Sequence, residues 1–196
     1  DDLLEPNVIS FGAVISACEK GGQWQRALSI LMGMVQSTLV PDVYNYNACM
    51  SACAKGEQWQ RALALLSEMR EISLDPDVIS YSAGISACKK GKKWMQALCL
   101  LSIMRQTNVE VRVISYNAAV SACGTGEQWQ HALSLIGEMR GAELEPNVIS
   151  FNAGISALGT GEQWQKALSL LSEVSRDRLV PNVISYNAGV SACEKG

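Results

Sequence analysis

In the stretch beginning at Val148, Phe151, Ile155 and Leu158 fall at i, i+4 and i+7, one apolar stripe of a helix. Ser150 is placed to cap that helix, because its hydroxyl can accept from the unbonded amides of the opening turn. Gly161 then supplies a residue able to turn left-handed after the helix ends. Ala167, Leu168, Leu170, Leu171 and Val174 predict a second helix starting near Trp164, its stripe broad enough to be covered on more than one side. Leu179 and then Pro181 close the stretch, since proline cannot continue a helix and pushes its predecessor toward extended geometry.

The same pattern returns along the whole chain. Trp24, Trp59, Trp94, Trp129 and Trp164 are each 35 residues apart. Pro6, Pro41, Pro76, Pro146 and Pro181 keep that period, with Val111 in the remaining slot. Aromatics recur at Phe11, Tyr46, Tyr81, Tyr116, Phe151 and Tyr186, and glycines at Gly21, Gly56, Gly91, Gly126, Gly161 and Gly196. Five helical-hairpin repeats follow, at 8–42, 43–77, 78–112, 113–147 and 148–182. Residues 1–7 end a preceding repeat and 183–196 begin a sixth. One hairpin is too small to hide both its stripes, so neighbours must stack and stability accrues at their interfaces. The fold class predicted is all-α, with each Trp a wedge between helices that buries about 150–250 Å².

Composition refines this only at a few points. Of the 196 residues 48% are apolar, and the formal net charge of −3 gives no overall argument for a nucleic-acid or anionic-membrane partner. No apolar run approaches the roughly 18 residues of a membrane span. The chain opens and stops inside the repeat, the expectation for a piece of a longer protein whose targeting segment lies out of view. Cys18, Cys53, Cys88, Cys123 and Cys193 share one repeat position, where Leu158 stands in the remaining copy. That substitution predicts buried thiols in a reducing compartment; with no CxxC pair and one histidine, no metal ligand set is expected.

An enzyme is not expected either. His131 occupies a position held elsewhere by Arg26, Arg61, Gln96 and Lys166, a solvent-facing helix surface. No nucleophile–base pair, glycine-rich phosphate loop or HExxH string is present. The glutamates of the thrice-repeated GEQWQ read as first-turn charges of the second helix. No cofactor and no small-molecule substrate is implied.

Each repeat runs as in VISYNAAVSACGTGEQWQHALSLIGEMRGAELEPN, and this closely resembles the pentatricopeptide repeat over almost the whole chain. The resemblance implies a right-handed α-solenoid that binds single-stranded RNA in a mitochondrion or chloroplast, one base per repeat. In that family the fifth and last residues of a repeat read the base edge, while the second sandwiches the base. Carried onto this chain, the reading pairs are Asn47 with Asp77, associated with uracil, and Asn117 with Asn147 and Asn152 with Asn182, associated with pyrimidines. The sandwiching residues are Ile9, Tyr44, Ile79, Ile114, Ile149 and Ile184, and lysines facing the phosphates are Lys20, Lys55, Lys90 and Lys195. Thr125 and Thr160 replace that lysine in two repeats.

The chain departs from the family pattern in places. Gly12 stands opposite Asp42 and has no side chain to donate, and Arg112, opposite Ser82, cannot accept from a base. Small residues at Gly84, Ala119, Gly154 and Gly189 take the place of a large aliphatic, which alters packing. The family's late glycine is replaced by Thr38, Ser73, Asn108, Glu143 and Arg178, which predicts altered loop geometry. Asn and Asp at these places are also ordinary capping and turn residues. The acidic balance and the two failed pairs leave a second reading open, a scaffold subunit that embraces a protein in a large assembly.

Overall fold

In the computed structural model, which describes residues 7–107 and 109–195, the described residues form eleven α-helices and no strands. Pro6, Asn108 and Gly196, singled out above, lie outside the described residues. The helices are α1 (Val8–Lys20), α2 (Trp24–Gln36), α3 (Val43–Lys55), α4 (Trp59–Glu71), α5 (Val78–Lys90), α6 (Trp94–Gln106), α7 (Val113–Thr125), α8 (Trp129–Gly141), α9 (Val148–Thr160), α10 (Trp164–Arg176) and α11 (Val183–Lys195). Every odd helix opens on the repeated Val and every even one on the repeated Trp.

The chain divides into two compact bodies, one reaching to Gly91 and the other starting at Lys92. In the first body α1, α3 and α5 pack side by side, and α2 and α4 each lean on the odd helices before and after them. In the second, α7, α9 and α11 form the same inner row, with α8 and α10 leaning on it and α6 against α7. The core lies between these rows. Phe151, Ile155 and Leu158 are buried in α9, and Ala167, Leu170 and Val174 in α10. Leu168 is exposed, so α10 is covered over less of its circumference than its broad stripe predicts.

The repeated glycine has a different task from the one its place suggests. Gly56, Gly91, Gly126 and Gly161 have negative φ, and the left-handed residue is the next one: Glu57, Lys92, Glu127 or Glu162. The GEQWQ glutamates therefore sit in the turn, one place before the Gln that precedes the helix, and not in its first turn. What excludes a side chain at the glycine is the Trp of the preceding repeat. A Cβ on Gly56, Gly91, Gly126 or Gly161 would stand 2.2, 2.3, 2.4 or 2.2 Å from Cδ1 of Trp24, Trp59, Trp94 or Trp129. The other side of that ring is met by the residue five places past the glycine. The Arg61 guanidinium lies 5.1 Å from the Trp24 ring, the Lys166 ammonium 3.9 Å from Trp129, and the exposed His131 ring 5.2 Å from Trp94. These half-buried rings are clasps between repeats.

A second tie crosses the repeats. Arg105 donates to the Tyr116 hydroxyl at 2.6 Å and pairs with Glu138 at 2.6 Å, and Arg140 pairs with Glu173 and Asp177 while lying 5.8 Å from the Phe151 ring. Arg70 donates to the Tyr81 hydroxyl. Where Val35 replaces the arginine, Tyr46 donates straight to Glu68 at 2.7 Å. Exposed pairs of this kind contribute little each, so they set register more than they add stability.

At the late-glycine position the described residues take the left-handed conformation that glycine adopts freely. Thr38, Ser73, Glu143 and Arg178 all hold φ of 57–59°, and the residue after each donates back to the helix, as Leu39 N does to Met34 O. The turn imposes the left-handed conformation on residues that disfavour it, at a cost of about 1 kcal/mol each. At the thiol position Cys53, Cys88 and Cys123 are buried, and burial pushes Cys53 and Cys123 up to about 11. Cys18 is only half-buried and Cys193 exposed, as they belong to the first and last described helices. Opposite Gly154, Ile136 Cδ1 and Leu170 Cδ2 close in to 2.7 and 3.0 Å of where a Cβ would be, filling the volume a large aliphatic would take.

Gly126→Ala should destabilise the chain by about 1–3 kcal/mol, because the Trp94 ring must move off its seat. With Trp94→Ala already in place, the same change should cost little, a non-additivity that thermal unfolding of the two single variants and the double variant reads directly.

Candidate nucleic-acid interface

Asp42, Asp77 and Asn147, each the last residue before an odd helix, have extended backbone and accept from the amide three residues on. Asn7 does the same for α1, and Asn182 for α11 through the Ser185 amide at 3.0 Å. Each is thus the N-cap. Ser150, predicted as the cap, is instead its third-position partner, its Oγ accepting from Asn147 N at 3.1 Å in a capping box.

These caps are where the preceding repeat reaches across. Asn47 Nδ2 donates to Asp77 Oδ1 at 3.1 Å, Asn117 Nδ2 to Asn147 Oδ1 at 3.3 Å, and Asn152 Nδ2 to Asn182 Oδ1 at 3.3 Å. All three pairs named from the sequence are therefore brought together. In each, one oxygen is committed to protein: Asp77 Oδ1 also takes the Ser80 amide, and Asn147 Oδ1 the Ile149 and Ser150 amides. That leaves Oδ2, an acceptor, on Asp77, and Nδ2, a donor, on Asn147 and Asn182. Asn117 Oδ1 and Asn152 Oδ1 are buried acceptors that meet no donor among the described residues. Asn47 Oδ1 differs, because Ser80 Oγ donates to it at 2.6 Å.

Burial acts to raise the Asp77 carboxyl, but hydrogen bonds from Ser80, Asn47 and Ile79 outweigh it and hold the group below its ordinary 3.8. Asp77 is therefore a carboxylate throughout the neutral range.

Flanking the pairs, the second residues of the odd helices stand in solvent, from 57% exposed at Tyr44 through 63–64% at Ile79, Ile114, Ile149 and Ile184 to 80% at Ile9. These apolar side chains recur once per repeat at one place and contribute little to the core. Lys20, Lys90 and Lys195 are exposed at the far ends of the odd helices. Lys55 is committed, at 2.9 Å from the Glu19 carboxylate, and this bond is the chief cause that lowers Glu19.

Two repeats lack the pair. Gly12 is buried, with Asn45 and Tyr44 against it. Arg112 has the extended backbone of a cap but no capping bond, and its guanidinium turns to Glu110 at 2.7 Å. Sequence reasoning missed Ser80 and Asn45, third residues of their helices that enter these networks. The signal was there: Asn45 stands where the other repeats carry Ser.

A model of the PPR repeat family matches residues 41–90, and one of the pentatricopeptide repeat domain matches residues 1–56 and 99–161. None of the curated proteins compared with the chain matches it. Among solved structures, the pentatricopeptide repeat protein PPR10 in complex with an 18-nt psaJ RNA element is similar at a TM-score of 0.81 and 21% identity, over 96% of this chain and 28% of that one. The same protein from maize gives 0.77 and 23%, over 98% and 28%. The PPR domain of Arabidopsis thaliana protein-only RNase P 1 in complex with tRNA gives 0.75 and 14%, over 93% and 96%. The chain thus spans little more than a quarter of the PPR10 chain.

Arg112→Asp should restore the missing cap of α7 and raise stability by about 1 kcal/mol, seen as a higher thermal midpoint. Because the folded pKa of Asp77 is lowered, its share of stability is present above pH 3.8 and lost as pH falls through the folded value. Asp77→Asn, which caps equally well, should therefore flatten the acid side of the stability profile below about pH 4, measured by thermal unfolding across pH.

Proposed function

Because this chain belongs to the pentatricopeptide repeat family, we propose that it binds single-stranded RNA, one base per repeat and without catalysis, in the RNA metabolism of a mitochondrion or chloroplast. The observation that carries the reading is the three Asn–cap pairs, each with at least one unused polar atom and each flanked by exposed isoleucine or tyrosine. The relatives solved with RNA and with tRNA support it.

The unused atoms give a preference. The Asp77 carboxylate, an acceptor, suits a base whose edge offers a ring N–H, as uracil does. The Asn147 and Asn182 amides, donors, suit a base with a bare ring nitrogen, as cytosine has. The acceptors Asn117 Oδ1 and Asn152 Oδ1 then meet its exocyclic amine; adenine offers the same edge, and the lean to pyrimidines comes from the family resemblance. Ile79, Ile114, Ile149 and Ile184 sandwich the bases, as Tyr44 does with an aromatic face. Lys20 and Lys90 meet phosphates; Lys55 does so only by leaving Glu19.

One observation favours the scaffold reading. In the first body, Leu28, Met32 and Val35 of α2 line a groove of about 730 Å³ with Leu65 of α4, where a protein side chain would fit. The two readings part on a titration of pyrimidine-rich single-stranded RNA at two salt concentrations. Expected is micromolar binding with a shallow salt slope, since few cations are available, weakened about tenfold by Asn47→Ala with Asp77→Ala. Absence of binding to any RNA at low salt would sink the RNA reading and leave the scaffold.

A further inference from the structure

We infer that the first repeat, which has Gly12 where the others place an amide or hydroxyl, reads its base with Asn45, borrowed from the next helix. The inference rests on the RNA reading above. Asn45 is 1% exposed, yet its Nδ2 meets no acceptor among the described residues. The same amide's Oδ1 accepts from Asp42 N at 3.0 Å, which fixes which end is the donor. Nδ2 lies 3.0 Å from the point where a Cβ on Gly12 would stand, the space in which a fifth-residue side chain would begin. The other described odd helices carry Ser at the place of Asn45, too short for this reach.

The neighbours complete a base site. Asp42 is exposed, and its Oδ1 is committed to the Asn45 amide N–H at 2.9 Å, leaving Oδ2 as the acceptor. The Tyr44 ring lies 3.6 Å from the same empty Cβ point, the one aromatic among the flanking isoleucines. A donor beside an acceptor fits a base with a carbonyl next to a ring N–H, which is uracil or guanine and neither adenine nor cytosine. The base carbonyl accepts from Asn45 Nδ2, its ring N–H donates to Asp42 Oδ2, and its face rests on Tyr44.

The test is a nucleotide-preference profile from a randomised single-stranded RNA pool, taken with the unaltered chain, Asn47→Ala and Asn45→Ser. Asn47→Ala marks the nucleotide of the second repeat. At the nucleotide next to it, the unaltered chain should prefer uracil or guanine, and oligonucleotides bearing either base there tell which. Asn45→Ser keeps a residue that answers the cap in other repeats and should lower that preference about tenfold while leaving the remaining positions unchanged. A lower thermal midpoint of Asn45→Ser with an unchanged profile would overturn the inference alone, leaving Asn45 a filler of the space above Gly12. If the unaltered chain selects no RNA, the RNA reading falls and this inference with it.

Discussion

A hairpin of two thirteen-residue helices leaves apolar surface on both sides, and it hides that surface only against the next hairpin. Everything else follows from how the seam is held in register. At one end of the odd helices the seam is a ring on a glycine, Trp129 on Gly161. On the outer side it is an arginine shared between a phenol and a carboxylate, Arg105 between Tyr116 and Glu138. At the other end it is an amide on a helix cap, Asn117 on Asn147. Three ties of different chemistry fix a translation and a rotation that dispersion between Ala and Leu faces alone would leave free to slide.

The third tie joins stability to recognition. A cap must turn one side-chain oxygen inward to the helix amides, and whatever atom remains on that side chain is turned outward. Asp and Asn cap equally well, so the seam is indifferent to the exchange, while the outward atom changes from acceptor to donor. A repeat can thus alter what it offers a ligand without altering how it folds. Arg112 shows the limit: a guanidinium neither caps nor accepts, and it is spent on Glu110 instead.

Much of this was legible in the sequence because it repeats. The period placed the eleven described helices, and the family resemblance picked out the three Asn–cap pairs. What escaped was whatever depends on a neighbour one repeat away. Gly161 looked like a helix stop; only the fold brings Trp129 to it. Ser150 looked like a cap, since a serine before an apolar stripe reads that way, yet Asn147 has the extended backbone and Ser150 answers it. Glutamate and arginine do not suit a left-handed turn, yet Glu143 and Arg178 are held in one by backward hydrogen bonds to the preceding helix. In each case the local preference was real and a contact made elsewhere decided the outcome.

Charge sets what kind of binding such a surface supports. Of the lysines at the ends of the odd helices, Lys55 is held by Glu19, and α7 and α9 carry Thr125 and Thr160 there, whose hydroxyls turn to main-chain carbonyls. With a net charge of −3 the chain has little to draw a polyanion from a distance. Attraction that does not depend on sequence is therefore small, and under the proposed RNA reading affinity would come from stacking on exposed isoleucines and from the outward atoms of the caps. Both act only at contact, and the second depends on base identity. A surface built this way is poor at holding nucleic acid in general. Its discrimination is correspondingly large relative to its affinity, because the term common to all sequences is the one it lacks.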